Sequence, residues 1–168
     1  MKKIILYTVL MLIGSMTAQA QNLKHFRVDT TSIGHFWTIY PNFDPTPESG
    51  VNKFVGDYTY HISKLVKEAV KTLPEEIRQM LIKYKVRAIV YFNSKGEIFC
   101  LTFSAIQGDK FPMDDEQWLK VYHTFRHLKI DLSKLTLLDN FEWGAGRYPL
   151  YRFLDCLLYT SDAADEAR

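Results

Sequence analysis

The sequence predicts an α+β domain in which helices pack on one face of a small antiparallel sheet. Three observations predict this fold: segments with helical spacing of apolar residues, a strand–turn–strand segment between them, and a further strand near the end of the chain. Each helical segment carries a single apolar stripe, and such a stripe is buried against another element of structure.

The first two helices are predicted on either side of Pro74. Over residues 58–73 the apolar residues recur at intervals of three and four, which is the spacing of one helix face. They are Ile62, Leu65, Val66, Ala69, Val70 and Leu73. Pro74 is typical of a first helical turn, and Thr72 with Glu75 resembles a capping box. A second, shorter helix is therefore expected after a tight corner.

The strand–turn–strand segment is predicted over residues 85–106. Apolar residues alternate in KVRAIVYF and again in EIFCLTFSAI, and the turn Asn93-Ser94-Lys95-Gly96 lies between the two strands. Gly96 can adopt the positive φ that such turns require. This pattern predicts an antiparallel hairpin.

A third helix and a last strand complete the predicted fold. Asp114 is a helix cap, and Gln117 stands at the reciprocal position of a capping box. Residues 148–154, YPLYRFL, are interpreted as the last strand, with Pro149 favouring an edge position. The segment Gly144-Ala145-Gly146-Arg147 before it is interpreted as a turn.

The N-terminus has the layout of a cleaved signal peptide. Lys2 and Lys3 precede an apolar run from Ile4 to Ile13, and small residues at Ala18 and Ala20 suit a cleavage site. The apolar run is half the length that spans a bilayer, which takes about 20 residues. We expect the mature chain to begin at Gln21 and the protein to be periplasmic or secreted.

The C-terminus shows a different anomaly. Residues 156–166, CLLYTSDAADE, resemble a translated transposase sequencing adapter. The predicted organisation is therefore a signal peptide at 1–20, an N-terminal arm with a Pro-rich loop at 21–50, an α+β domain at 51–155 and a non-native tail at 156–168.

Charge and cysteine content exclude several classes of protein. The net charge is +2 and is spread along the chain, whereas nucleic-acid binding requires a concentrated basic face. Cys100 is the one cysteine outside the suspect tail, so no internal disulfide is expected. A lone cysteine within an apolar strand is typical of a small buried side chain.

Two histidines are the strongest candidates for metal chemistry. His123 and His127 lie four residues apart on the third predicted helix and share a face. HTFRH lacks the glutamate of a zincin motif, Arg126 lies between the histidines, and no third ligand is evident. We interpret the pair as a weak candidate, and no metal or other cofactor is expected.

Aromatic residues are the candidates for binding. The strand-like segment HFWTIY contains Trp37 and Tyr40, and the region of the last strand contains Trp143, Tyr148 and Tyr151. Exposed aromatic side chains often mark binding surfaces, although most aromatic residues pack in cores. These five residues are the predicted binding residues.

Residues 54–153 resemble the C-terminal domain of TonB. The segment VRAIVYFNSKGEIFCLTFSAI is similar to the hairpin of that family, FPMDDEQWLKVYHTFRHLKI to its helix, and YPLYRF to its final strand. The membrane helix and the long Pro-rich spacer of the family are missing. The chain also resembles an uncharacterised family of small exported Bacteroides-type proteins, and that resemblance implies no activity.

These observations lead to one expected function and two alternatives. We expect an exported, non-catalytic binding or envelope-associated module whose edge strand accepts a peptide segment by strand addition. The expected partner is an envelope protein or peptide. We expect no nucleic acid, and no integral membrane segment after signal cleavage. The alternatives are a periplasmic hydrolase that uses His123 or His127, and a secreted protein with a structural or inhibitory role.

Overall fold

The computed structural model describes residues 23–31, 35–47, 54–55, 58–108, 110–137 and 141–154. The predicted signal peptide and the predicted non-native tail lie outside these residues. None of the described helices combines the length and the apolar character that a membrane span requires.

The described fold contains seven strands, three α-helices given below with their bounds, and a further helical segment at residues 150–154. The strands are β1 (Phe26–Thr31), β2 (Phe36–Pro41), β3 (Phe54–Val55), β4 (Arg87–Asn93), β5 (Ile98–Ile106), β6 (Thr136–Leu137) and β7 (Trp143–Pro149). The helices are α1 (Tyr58–Lys71), α2 (Glu75–Lys83) and α3 (Asp115–Arg126), and a short 3₁₀ helix covers Leu132–Lys134.

The main sheet is antiparallel and has the strand order β1-β2-β5-β4-β7. Each of its four neighbouring pairs is antiparallel, and β3 pairs with β6 in a separate two-stranded sheet. The predicted α+β class with an antiparallel sheet is confirmed. The hairpin β4–β5 lies at its centre, because β2 pairs with the outer side of β5 and β7 with the outer side of β4.

The helices pack on one face of this sheet. Along β4 buried and half-buried residues alternate, so that Ala88, Val90 and Phe92 point to the same side. The ring of Phe103 on β5 lies 5.1 Å from the ring of Trp118 on α3. The same core includes Ile62, Val66, Val70, Ile77, Leu81, Val121, Tyr122 and Phe125 from the three helices.

The turn between β4 and β5 follows the prediction. Gly96 has a φ of +76°, and its amide hydrogen-bonds to the Asn93 carbonyl at 2.9 Å. The Asn93 side chain accepts hydrogen bonds from the amides of Lys95 and Glu97. One irregularity was not predicted: a register shift between Tyr91 and Phe92 places an extra residue in β5 opposite this point.

The helix starts agree with the sequence in one case and differ in the other. Asp114 and Gln117 form the predicted reciprocal capping box at the start of α3. The Thr72 hydroxyl donates instead to the Ala69 carbonyl of the preceding helix at 2.8 Å. Pro74 occupies the position before α2, where it needs no amide hydrogen, and no side chain caps that helix.

The end of the chain differs from the prediction. The last strand is Trp143–Pro149, and residues 150–154 are helical, whereas the sequence suggested a strand over 148–154 and a turn before it. Gly144 and Gly146 lie within this strand and pair with Phe92 and Val90 of β4, and the Tyr148 side chain occupies the place where a Cβ of Gly146 would stand. Leu150 and Leu154, four positions apart, are both buried and form a helical stripe.

The predicted N-terminal arm contributes two strands to the main sheet. β2 covers the predicted β-prone segment, and Asn42 hydrogen-bonds back to the His25 carbonyl at 2.9 Å. β1 was not predicted. In β1 the apolar Phe26 and Val28 alternate with the charged Arg27 and Asp29. This alternation is the sequence signal of the strand, and it places Phe26 and Val28 on the side of the helices.

Candidate binding face of the sheet

The main sheet has a second face, opposite to the one on which the three helices pack. We call it the open face and define it by strand alternation and register. Its larger side chains are Arg27, Phe36, Tyr40, Arg87, Ile89, Tyr91, Phe99, Trp143 and Arg147. All of them are half-buried or exposed, whereas the smaller Cys100 and Thr102 near the centre of this face are buried.

Aromatic rings cluster around Tyr91 on this face. The Tyr91 ring lies 6.1 Å from the Trp143 ring on β7 and 6.4 Å from the Phe99 ring on β5. Burial raises the pKa of Tyr91, while a hydrogen bond with the Thr102 side chain lowers it in part. Tyr91 is therefore neutral at physiological pH and has a neighbouring ring on each side.

Arginine side chains stack on aromatic rings at three points on and beside the open face. The Arg27 guanidinium carbon lies 4.7 Å from the centre of the Tyr40 ring, and that of Arg87 lies 5.9 Å from the centre of the Phe36 ring. Arg152 stacks on Tyr151 at 5.9 Å. A guanidinium placed over a ring still has N–H groups that can bind a carboxylate or another anion.

Two arginines lie at opposite ends of one row of residues across the sheet. Arg27 on β1 is the register partner of Tyr40, and Arg147 on β7 is the register partner of Ile89 on β4. Ile89 in turn pairs with Thr102 on β5. Tyr91 lies close enough to Tyr40 and Arg147 for both to affect its pKa. The register gives two parts of this row, Arg27 with Tyr40 and Arg147 with Ile89 and Thr102, and Tyr91 lies near both parts.

The predicted binding residues fall in different places. Tyr40 and Trp143 lie on the open face, and Tyr151 lies at its margin, where it is hydrogen-bonded with Arg87. Trp37 lies on the helix side, with its ring 5.3 Å from that of Phe111. Tyr148 is also on the helix side and only 1% exposed. The structure thus places two of the five on the open face and a third beside it.

Sequence reasoning missed Tyr91, Phe99 and the arginines. Both faces of the predicted hairpin carry aromatic residues, so the sequence alone does not tell which face the helices cover. The charged strand residues were the available signal for the face that the helices leave uncovered. Arg27, Arg87 and Arg147 each alternate with apolar residues within a strand, and charged side chains do not point into a core without partners.

His123 and His127 lie away from the open face, exposed on α3. Their rings are stacked 6.2 Å apart. Within the described ranges, no group of three or more histidine, cysteine, aspartate or glutamate residues is placed to hold a metal ion. The geometry therefore offers no support for the hydrolase alternative.

Cys100 and a nearby polar cluster have a structural role. Burial raises the pKa of the Cys100 thiol to about 11, which keeps it protonated and unreactive. The Tyr122 hydroxyl donates to the Asp44 carboxylate, and Arg126 lies 3.4 Å from the same carboxylate. These contacts fix the loop after β2 against α3.

The edges of the sheet are β1 and β7. The predicted strand-addition edge at 148–154 is largely helical and cannot accept a strand there. At the other edge, no strand among the described residues pairs with the outer side of β1. Alternate residues of an edge strand point their N–H and C=O groups away from the sheet, so β1 offers backbone groups for pairing.

Comparison with known proteins leaves the family open. No known protein family matches the chain, and no curated protein sequence matches it. The resemblance to the C-terminal domain of TonB is therefore not confirmed. A solved structure of a DUF5043 family protein from Bacteroides uniformis matches with a TM-score of 0.39 and 12% identity, covering 74% of this chain and 79% of that chain. A likeness this remote assigns neither family nor function.

Proposed function

We propose that this protein is an exported, non-catalytic binding module that holds an envelope protein or peptide on the open face of its sheet. One observation carries this proposal: arginines stacked on aromatic rings occupy the face that the helices leave uncovered. Aromatic and arginine side chains are the residues that interfaces use most for binding energy.

The proposed mode of binding includes strand addition at β1. A partner segment that pairs with the outer side of β1 would place alternate side chains beside Arg27 and Asp29 on the open face. Main-chain hydrogen bonds would supply affinity, and the side chains of the open face would supply selectivity. The two charged residues also limit unspecific pairing at this edge.

Export is part of the same proposal. The charged start, short apolar run and small residues before Gln21 support cleavage by a signal peptidase, and a cleaved protein would meet partners in the periplasm or outside the cell. The N-terminal sequence of protein recovered from the periplasm tests this point directly. We expect it to begin at Gln21, and an intact Met1 would contradict it.

Site-specific photo-crosslinking tests where the partner binds. A photoreactive phenylalanine analogue replaces Tyr40 on the open face in one variant and the exposed Lys120 on α3 in a matched control. Irradiation of cells that express each variant should give a discrete protein adduct at position 40 and none at position 120.

Two results of this experiment would overturn the proposal. The first is an adduct at position 120 without one at position 40, which would place the partner on the helical layer. The second is the absence of any adduct at position 40 and at a further open-face position, Trp143, in cells that export the protein normally.

A further inference from the structure

We infer that the part of the partner that crosses the open face from β1 to β7, beyond any segment paired with the β1 edge, is an extended acidic peptide that carries two carboxylates, one for Arg27 and one for Arg147. This inference rests on the proposed function and adds the chemistry and spacing of the partner. It follows from the charge of the face, the exposure of its arginines and the width of the sheet.

The charge of the open face is strongly one-sided. Arg27, Arg87 and Arg147 belong to it, and the strand residues of the described sheet add a single carboxylate, Asp29, on the same side. Asp29 lies 3.4 Å from Arg27 and offsets part of its charge. The Arg87 guanidinium already lies over the Phe36 ring and is hydrogen-bonded with Tyr151. An uncharged or basic partner would leave this surplus of positive charge without a complement.

The two outer arginines are accessible. The Arg27 side chain is 64% exposed, and Arg147 is exposed on β7. Because a planar guanidinium binds a carboxylate through two parallel hydrogen bonds, each can hold one acidic side chain. The Asp29 contact leaves Arg27 able to do so, since it reaches only the Nε of Arg27, at 3.4 Å, and a single-point ion pair between exposed side chains exchanges readily.

The width of the sheet sets the distance between the two carboxylates. β1 and β7 are separated by four strand spacings, which amounts to about 19 Å, because neighbouring strands lie about 4.8 Å apart. An extended peptide advances roughly 3.3 Å per residue, so about six residues cover this distance. The peptide would cross Tyr40 and Tyr91, whose rings lie between the two arginines.

The test compares two synthetic peptides of one composition and different order with a third peptide that lacks the carboxylates. The first peptide carries two glutamates about six residues apart, the second carries the same two glutamates side by side, and a third has glutamines in their place. Isothermal titration calorimetry measures the affinity of the purified mature protein for each. We expect the widely spaced peptide to bind about tenfold more tightly than the peptide with adjacent glutamates, which reaches one arginine, and about a hundredfold more tightly than the glutamine peptide, which engages neither.

Arginine variants show whether the two contacts are those inferred. Arg27→Ala and Arg147→Ala should each weaken the widely spaced peptide about tenfold and should affect the glutamine peptide little. Lys120→Ala, which removes an exposed charge from the helical layer, is the matched control and should change nothing. Both arginines are exposed, so the variants should fold, and their circular dichroism spectra check this.

The outcomes separate this inference from the proposed function. Equal affinity for all three peptides, together with crosslinking at position 40, would overturn the acidic partner and leave the binding face standing. Tighter binding of an oligogalacturonate or of an oligouridylate than of any peptide would overturn a peptide as the occupant. No peptide binding together with no crosslinking would overturn both.

Discussion

Gly96 is the residue whose backbone conformation constrains the chain most severely. It holds a φ of +76° in the turn between β4 and β5, and a Cβ there would overlap the Ile130 carbonyl oxygen. The Ile130 amide also donates to the Gly96 carbonyl at 2.8 Å. The turn and the segment after α3 are therefore joined through a position that tolerates no side chain.

We predict that Gly96→Ala lowers the free energy of unfolding by about 2–3 kcal/mol, because both the positive φ and the overlap act against alanine. Urea unfolding followed by circular dichroism measures this change. Gly108→Ala is the matched control, since its Cβ would meet only the Tyr84 ring edge at 3.1 Å, and that ring can shift. Equal losses in the two variants would contradict this explanation.

Asp115 joins two elements that are distant in sequence. Its carboxylate accepts hydrogen bonds from the His25 amide at 2.9 Å and from the His25 ring, and it lies in the first turn of α3. Burial acts to raise the pKa of Asp115, but the His25 hydrogen bonds outweigh it and hold that pKa below its ordinary value of 3.8. The contact fixes the start of β1 against α3.

The lowered pKa of Asp115 predicts a dependence of stability on pH. A carboxyl group with a depressed pKa in the folded state stabilises the fold above its ordinary value, and that contribution disappears as the pH falls through the folded-state pKa. Asp115→Asn should therefore reduce stability at pH 7, and its stability should approach that of the wild type as the pH falls below the lowered pKa of Asp115. Urea unfolding over a pH series checks this, with Glu116→Gln as the control, and a difference independent of pH would refute the explanation.

At the scale of elements, local signals predicted the centre of the fold and missed its edges. The β4–β5 hairpin, α1 and the capping box of α3 each have a periodicity or a turn residue that specifies them within a few positions. β7 does not. Its Gly144 and Gly146 resemble a turn, but they pair with β4, and position 146 needs glycine because the Tyr148 side chain occupies the space above it. That requirement is set by tertiary packing and has no local sequence signal.

Only part of the candidate site could be predicted from the sequence, because tertiary packing decides which strand residues lie on the open face. Tyr40, Trp143 and Tyr151 were recognised as aromatic residues near strands, and they lie on or beside the open face. Trp37 and Tyr148 have the same local character but pack against the helices. Which side of a strand faces the helices depends on the whole sheet, so residue type alone could not separate the two groups.

At the scale of the whole molecule, the two layers have different chemistry. The helical layer carries the stacked pair His123 and His127, and the sheet carries the arginine–aromatic face. The central claim is that the open face binds the partner and that the histidine pair does not take part. One double variant in each layer tests how much that layer contributes to binding of the partner.

The most direct measurement is the amount of partner captured from a periplasmic extract by three immobilised proteins of matched stability. These are the wild type, Tyr91→Ala with Trp143→Ala, and His123→Ala with His127→Ala. We predict that the aromatic double variant captures less than about a tenth of the wild-type amount, because truncating a hot-spot residue costs about 2 kcal/mol or more of binding free energy. We predict that the histidine variant captures the full amount. Loss of capture in the histidine variant with full capture in the aromatic variant would contradict the account.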